Sequence, residues 1–275
     1  MKKFYILLLP TILIVSIFSC NRKATATNND NDKNKSATLT TLQKNRITLT
    51  ELFSVEQFEN ATLTQELSAG SADLDSNKFG LNFTATNYEF GKQSDLTGLK
   101  TCANAAKGQH VHVIVDNEPY TAVYTKAGKL KASNDGQHTV LSFLSRSYHE
   151  SIKNKNAYVL SSVITGKSRY LARYAAPDLT SPMLFFSRPK GEYIGAETDA
   201  VLLDFYVVNC DLSKDGYKVK AVINGTEFII TKWCGYFMEG LPIGENTIKL
   251  TLLDKNNKLV ESPFNEVERK FTLKK

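Results

Sequence analysis

The chain has little helical patterning, no basic run interleaved with aromatics, and an odd number of cysteines once the extreme N-terminus is set aside. Apolar residues seldom recur at the 3.6-residue spacing of an amphipathic helix, so helical architectures are disfavoured. Its 34 lysines and arginines against 28 acidic residues leave a net charge of +6, and these charges are spread along the chain rather than striped. A nucleic-acid surface needs the opposite arrangement, so no nucleic-acid partner is expected. There is no nucleophile elbow and no pair of carboxylates at a useful spacing, and no enzymatic activity is expected. Beyond Cys20 the cysteines are Cys102, Cys210 and Cys234, so at least one is unpaired within the chain. Cys210 with Cys234 is the pair to expect if one forms, and free buried thiols are the alternative.

Large apolar residues crowd into residues 4–18, behind Lys2 and Lys3, and then nearly vanish. That apolar run is short for a spanning helix, which takes about 20 residues. It fits residues 1–20 as a signal peptide. Ile17-Phe18-Ser19-Cys20 resembles a bacterial lipobox, with Cys20 as the residue to be lipidated by acyl chains such as palmitate. Two acyl chains anchor stably where one does not. Residues 21–45 hold too little apolar surface to bury and read as a flexible tether. The picture is a lipid-anchored head in the bacterial cell envelope, facing an extracytoplasmic space, with the membrane as its first partner.

Period-two alternation and short β-branched or aromatic runs take over from there. Residues 79–85, 111–115, 139–144, 158–164, 201–207, 219–223, 247–252 and 269–273 read as strands, most of them bounded by Gly, Asn, Asp or Pro. The chain also repeats itself. At a shift of 108 residues, Val219-Lys220-Ala221-Val222-Ile223 lies on Val111-His112-Val113-Ile114-Val115, Phe228 on Tyr120, and Gly244 on Gly136. At a shift of 122, Phe205 lies on Phe83 and Asn209 on Asn87. The difference of 14 marks an insertion in the first copy, between Asn87 and Gly108, that carries Cys102. Each copy holds about seven strands in roughly 100 residues, which suits an immunoglobulin-like sandwich. The expectation is an all-β chain of two tandem immunoglobulin-like sandwiches, at residues 46–165 and 182–275, joined by a linker at 166–181.

All four histidines fall in the first copy. The second copy has Lys218, Lys220, Asn246 and Asn257 where the first has His110, His112, His138 and His149, so the scaffold does not demand imidazole. His110 and His112 share one face of their strand. That strand should run antiparallel to the one beginning near His138, which brings the turn Ser145-Arg146-Ser147-Tyr148-His149-Glu150 to the same end and puts His138 at the other. His110, His112 and His149 therefore form a candidate Zn or Cu site, with Cys102 or Glu150 as further ligands to consider. The competing expectation is a half-exposed sheet face on which these histidines are ordinary polar residues. Arg146, Tyr148 and Arg188, with Lys190 nearby, form a second candidate surface for an anionic or peptide partner, against the more usual expectation of solvated loop charges. Trp233, Tyr236 and Phe237 are expected in core or edge packing rather than in a binding face.

Gly108-Gln109-His110-Val111-His112, Phe143-Leu144-Ser145-Arg146-Ser147-Tyr148-His149-Glu150-Ser151, Phe186-Ser187-Arg188-Pro189-Lys190-Gly191-Glu192-Tyr193 and Ile243-Gly244-Glu245-Asn246-Thr247-Ile248 occur in that order. Together they resemble a family of uncharacterised bacterial lipoproteins labelled "phosphopeptide-binding protein". The label implies a protein or phosphopeptide partner of the forkhead-associated type. That recognition uses a serine three residues before a histidine, whereas Ser145 and Ser147 stand four and two before His149. The first copy also resembles extracytoplasmic Gly-x-His-x-His domains of unknown function, a likeness that implies a metal-binding role.

Overall fold

Runs of β-branched and aromatic residues closed by Asn, Asp and Gly turns dictate strands, and the computed structural model describes little else. It describes residues 39–68, 77–100, 102–166 and 177–275. The expected signal peptide, Cys20, residues 21–38 of the expected tether and most of the expected linker lie outside the described residues. Among those described there are seventeen strands and one 3-10 turn (Gly195–Thr198), and no helix long and apolar enough to cross a membrane.

The first sandwich pairs two sheets. One is β3 (Thr62–Leu67), β4 (Lys78–Thr86) and β7 (Ala127–Lys131), and the other is β6 (Thr121–Val123), β5 (His110–Val115), β8 (Gly136–Ser145) and β9 (Tyr158–Thr165) in that spatial order. The second sandwich repeats the plan. β10 (Met183–Arg188), β12 (Val201–Val208) and β15 (Tyr236–Glu239) lie in one sheet. β11 (Gly191–Ile194), β17 (Val267–Lys274), β16 (Gly244–Leu253), β13 (Lys218–Ile223) and β14 (Thr226–Ile230) form the other, with β11 running parallel to β17. Seven- and eight-stranded halves with this strand order are immunoglobulin-like sandwiches.

The repeat extends to backbone conformation. Asn87 and Asn209 have φ of 53° and 57°, Gly136 and Gly244 have φ of 146° and 110°, and His149 and Asn257 have φ of 69° and 61°. Thr139 N donates to Asp116 Oδ1 as Thr247 N donates to Asn224 Oδ1. One equivalence needs correcting. Thr121 opposes Val113 in the first copy and Phe228 opposes Ala221 in the second, so Phe228 matches Thr121 and not Tyr120. The turn after β5 carries an extra residue, and a one-residue slip sends a side chain to the other face. Phe228 therefore enters its own sandwich core, whereas Tyr120 packs outside, against the neighbouring sandwich.

The expected boundaries at residues 45 and 46 differ from what is seen. The end of the tether forms β1 (Thr41–Lys44), and the first residues assigned to the first sandwich form β2 (Ile47–Glu51). This hairpin extends the second sandwich, with β2 antiparallel to β15. Ile47 and Leu49, at 6% and 0% exposure, point into that sandwich's core. Among the described residues the path thus begins in the second sandwich, builds the first, and returns.

The two sandwiches also stack on each other. Alternation along a strand sends successive side chains to opposite faces. Val111 and Val113 fill the first sandwich while Ile114 faces out; Leu184 and Phe186 fill the second while Met183 and Phe185 face out. The outward residues meet in a third core with Leu141, Phe143, Tyr206 and Val208. Four sheets therefore enclose three apolar layers, and residues 39–275 form one compact unit.

Candidate metal centre

His110 and His112 continue the outward face of β5 beyond Ile114, at the rim of the layer between the sandwiches. Their exposure is 0%; Ser187 of β10 reaches His112, and the Tyr124 ring lies 4.6 Å from that of His110. The half-exposed sheet face that a single sandwich would give is absent at this site. Of the aligned lysines of the second copy, Lys218 is buried at 8% exposure while Lys220 stays partly accessible. His149 arrives from the turn between β8 and β9. There Arg146 N donates to Glu150 O and His149 N to Arg146 O, each at 2.9 Å. This turn needs a left-handed residue at position 149, a conformation that histidine tolerates better than most.

The three rings converge on one point. His110 Nε2 lies 2.8 Å from His112 Nε2 and 3.1 Å from His149 Nδ1, and the remaining edge is 3.5 Å. Three imidazoles at tetrahedral angles with Zn–N of about 2.0–2.1 Å would stand roughly 3.3 Å apart, so the triangle has the size of a metal face. Partners outside the triangle set the ring orientations. His110 Nδ1 donates to Gly108 O at 2.8 Å, which leaves its Nε2 lone pair aimed inward. His112 Nδ1 lies 3.3 Å from Ser187 Oγ on β10. The Tyr120 ring stacks on His112 at 3.6 Å, and Tyr120 Oη is 3.4 Å from His149 Nδ1.

Burial keeps these rings neutral. Desolvation pulls His110 down to about 4 and His149 to about 2, and lowers His112 well below the ordinary value. The positive charge of Arg188 acts in the same direction on all three. Neutral imidazole is the form that ligates metal. A hydrogen bond is a poor substitute here. The single Nε2 lone pair of His110 would have to serve both neighbours, whereas a cation at the centre takes all three lone pairs.

The glycine that orients His110 is itself constrained. Gly108 has φ +78°, and a Cβ there would stand 2.2 Å from Gly91 O. The insertion at residues 88–107 presses against it and caps this end of the sandwich. Tyr88 Oη donates to His110 O and Ser145 O, and Ser94 and Ser147 exchange N–H···Oγ bonds at 3.0 and 3.1 Å.

The other expected site residues go elsewhere. Cys102 is not among the side chains that reach the ion position; it packs with Leu99 against Leu52, Tyr148 and Phe237, and burial raises its thiol to about 11. Glu150 is held by Ser54, at 2.5 Å, and by Arg146, at 3.3 Å. Arg146, Tyr148 and Arg188 do not form a surface, because they are 5%, 1% and 8% exposed. Arg146 donates to Glu56 O and lies over Phe58, and Tyr148 Oη bonds Ser54 and Glu150. His138 sits at the far end of β8 with Asp116, 2.5 Å away. Cys210 and Cys234 are free thiols, and Tyr236 and Phe237 are buried. Trp233 Nε1 donates to Phe205 O. Sequence reasoning missed Tyr120 and Ser187 as partners of the histidines. Tyr120 follows a turn that carries one residue more than its counterpart in the second copy, and that extra residue was the available signal.

No protein-family model matches the chain, and no curated protein matches it. Solved structures similar to it include the fibronectin(III)-like modules of Clostridium thermocellum CbhA, at 10% identity over 77% of this chain and 94% of that chain, with a TM-score of 0.26. The two tandem V-type regions of the v-region-containing chitin binding protein VCBP3 show 7% identity over 78% of this chain and 100% of that chain, with a TM-score of 0.22. The immunoglobulin-like assignment rests on the strand order and register described above.

Proposed function

We propose that the protein is a non-enzymatic, lipid-anchored module of the bacterial cell envelope whose first sandwich binds Zn or Cu through His110, His112 and His149. The observation that carries the metal reading is the triangle of imidazole nitrogens, with edges of 2.8, 3.1 and 3.5 Å, buried against a second sandwich. Nitrogen ligands alone suit Zn and Cu equally. Ligands drawn from β5 and from the β8–β9 turn, oriented by Gly108 and Ser187, make a rigid site rather than a chance cluster. The anchor rests on the lipobox-like string ending in Cys20.

Elemental analysis of the chain after metal-replete expression tests the reading, with His112→Ala alongside. Close to one equivalent of Zn or Cu in the parent and a clear deficit in the variant are expected. Equal, substoichiometric metal in both, with no thermal shift on adding either ion, would overturn it. Loss of membrane association in Cys20→Ala tests the anchor separately.

A further inference from the structure

This inference rests on the metal reading and concerns what completes the coordination. We propose that the bound metal takes a small anion, of the size of a carboxylate group or azide, as its remaining ligand, and that Arg188 and Lys190 hold that anion.

The donor set comes first. Among the described residues the group able to hold one ion is three histidines, with no carboxylate or thiolate in it. Three neutral imidazoles leave the whole charge of a divalent ion uncompensated, and zinc takes a fourth ligand. The protein then adds positive charge beside the site. Arg188 is 8% exposed, directly follows Ser187 of the His112 contact, and lies with its Cζ 5.5 Å from the centre of the Tyr120 ring. Lys190 Nζ stands 4.4 Å from the same ring centre and donates to Tyr120 O at 2.6 Å. Tyr120 is the ring stacked on His112, so both cations pack on the aromatic ring that contacts one of the three histidines.

Arg188 also has capacity to spare. One of its terminal nitrogens donates to Tyr193 Oη at 3.0 Å, while its Nε is buried without a hydrogen-bond partner. A buried, unsatisfied guanidinium N–H is uncommon and calls for an acceptor. Asp204 opposes Arg188 in the strand register, but its Oδ1 is bonded to Lys153 at 2.6 Å and to Ser151 at 2.9 Å, and its Oδ2 is likewise buried without a partner. Two cations, a spare donor and a ligand set without negative charge together favour an anion over neutral water in the last position.

Cobalt(II) loaded into the full chain reports the coordination sphere by its visible absorption. Titration with sodium azide, and separately with sodium acetate, should shift the spectrum saturably. Arg188→Gln should take up the same equivalent of cobalt but need about tenfold more anion. If Arg188→Gln does not fold, Lys190→Met, at an exposed position, should show a smaller weakening of the same kind. A cobalt spectrum that neither anion moves would overturn the inference while leaving the metal site standing. So would equal anion affinity in the parent and the folded variants. Failure to take up cobalt, zinc or copper at all would overturn the metal reading beneath it.

Discussion

His149→Asn separates the metal site from the fold more cleanly than any other substitution. Asn257 already occupies the equivalent turn position, with φ 61° against 69°, and its N–H donates to Asp254 O as that of His149 donates to Arg146 O. Asparagine accepts the left-handed conformation at least as well as histidine, so the backbone is kept. The variant without metal should lie within about 1–2 kcal/mol of the parent, the residual cost being the smaller side chain. Metal at a hundredfold excess over Kd stabilises the parent by about 2.7 kcal/mol. For a unit of this size that is a rise in Tm of roughly 5–10 °C. Losing one of three ligands should weaken binding at least about 100-fold, which leaves only about 0.4 kcal/mol at the same metal concentration, or roughly 1 °C. Differential scanning fluorimetry with and without Zn or Cu measures both numbers. A variant that keeps the full metal-induced rise would refute the assignment of His149 as a ligand.

Other consequences can be checked in parallel. Gly108→Ala forces a Cβ onto Gly91 O and strains a positive φ, so it should destabilise by more than about 1 kcal/mol and also weaken metal binding through His110; urea titration and metal titration read the two effects. Leu49→Ala should cost about 2–5 kcal/mol in urea denaturation, as a fully buried residue of the second sandwich's core; a surface-like effect under about 0.5 kcal/mol would contradict the pairing of β2 with β15. Phe143→Ala, in the layer between the sandwiches against Tyr206 at 4.7 Å, should cost about 3–5 kcal/mol and, in the parent, both halves should melt in one transition; two separate calorimetric peaks would argue that the halves are independent. Burial raises Cys102, Cys210 and Cys234 to about 11, 12 and 11, so all three stay protonated at pH 8, and iodoacetamide should label the native chain far more slowly than the unfolded one.

Strand identity was legible locally. Alternation in residues 111–115 and 139–144, and turn residues such as Asn224-Gly225, carry their signal within a few positions, and β5, β8 and β13 formed where those patterns lie. The duplication was legible because turn chemistry is stereochemical: the positive φ at Asn87 and Asn209 needs the same residue type twice. Even the convergence of His110, His112 and His149 followed from antiparallel pairing of β5 with β8, a relation between neighbours in the sheet.

Non-local features were beyond that reach. β1 and β2 belong to the second sandwich because a strand pairs wherever an open edge and an unfilled core await it, and β15 lies almost 190 residues further on. Arg146, Tyr148 and Arg188 looked like a surface because charged turn residues usually are one. Stacking of the second sandwich, the insertion at residues 88–107 and the segment that carries Glu56 and Phe58 buried them instead. The same stacking covers His112, so that a polar residue on a sheet face becomes a buried, neutral imidazole. Residue type and spacing placed three imidazoles at one end of one sandwich. Only the docking of the two sandwiches decided that this end would be buried and flanked by Arg188, because burial and electrostatic surroundings depend on what packs across a layer, which no local pattern encodes.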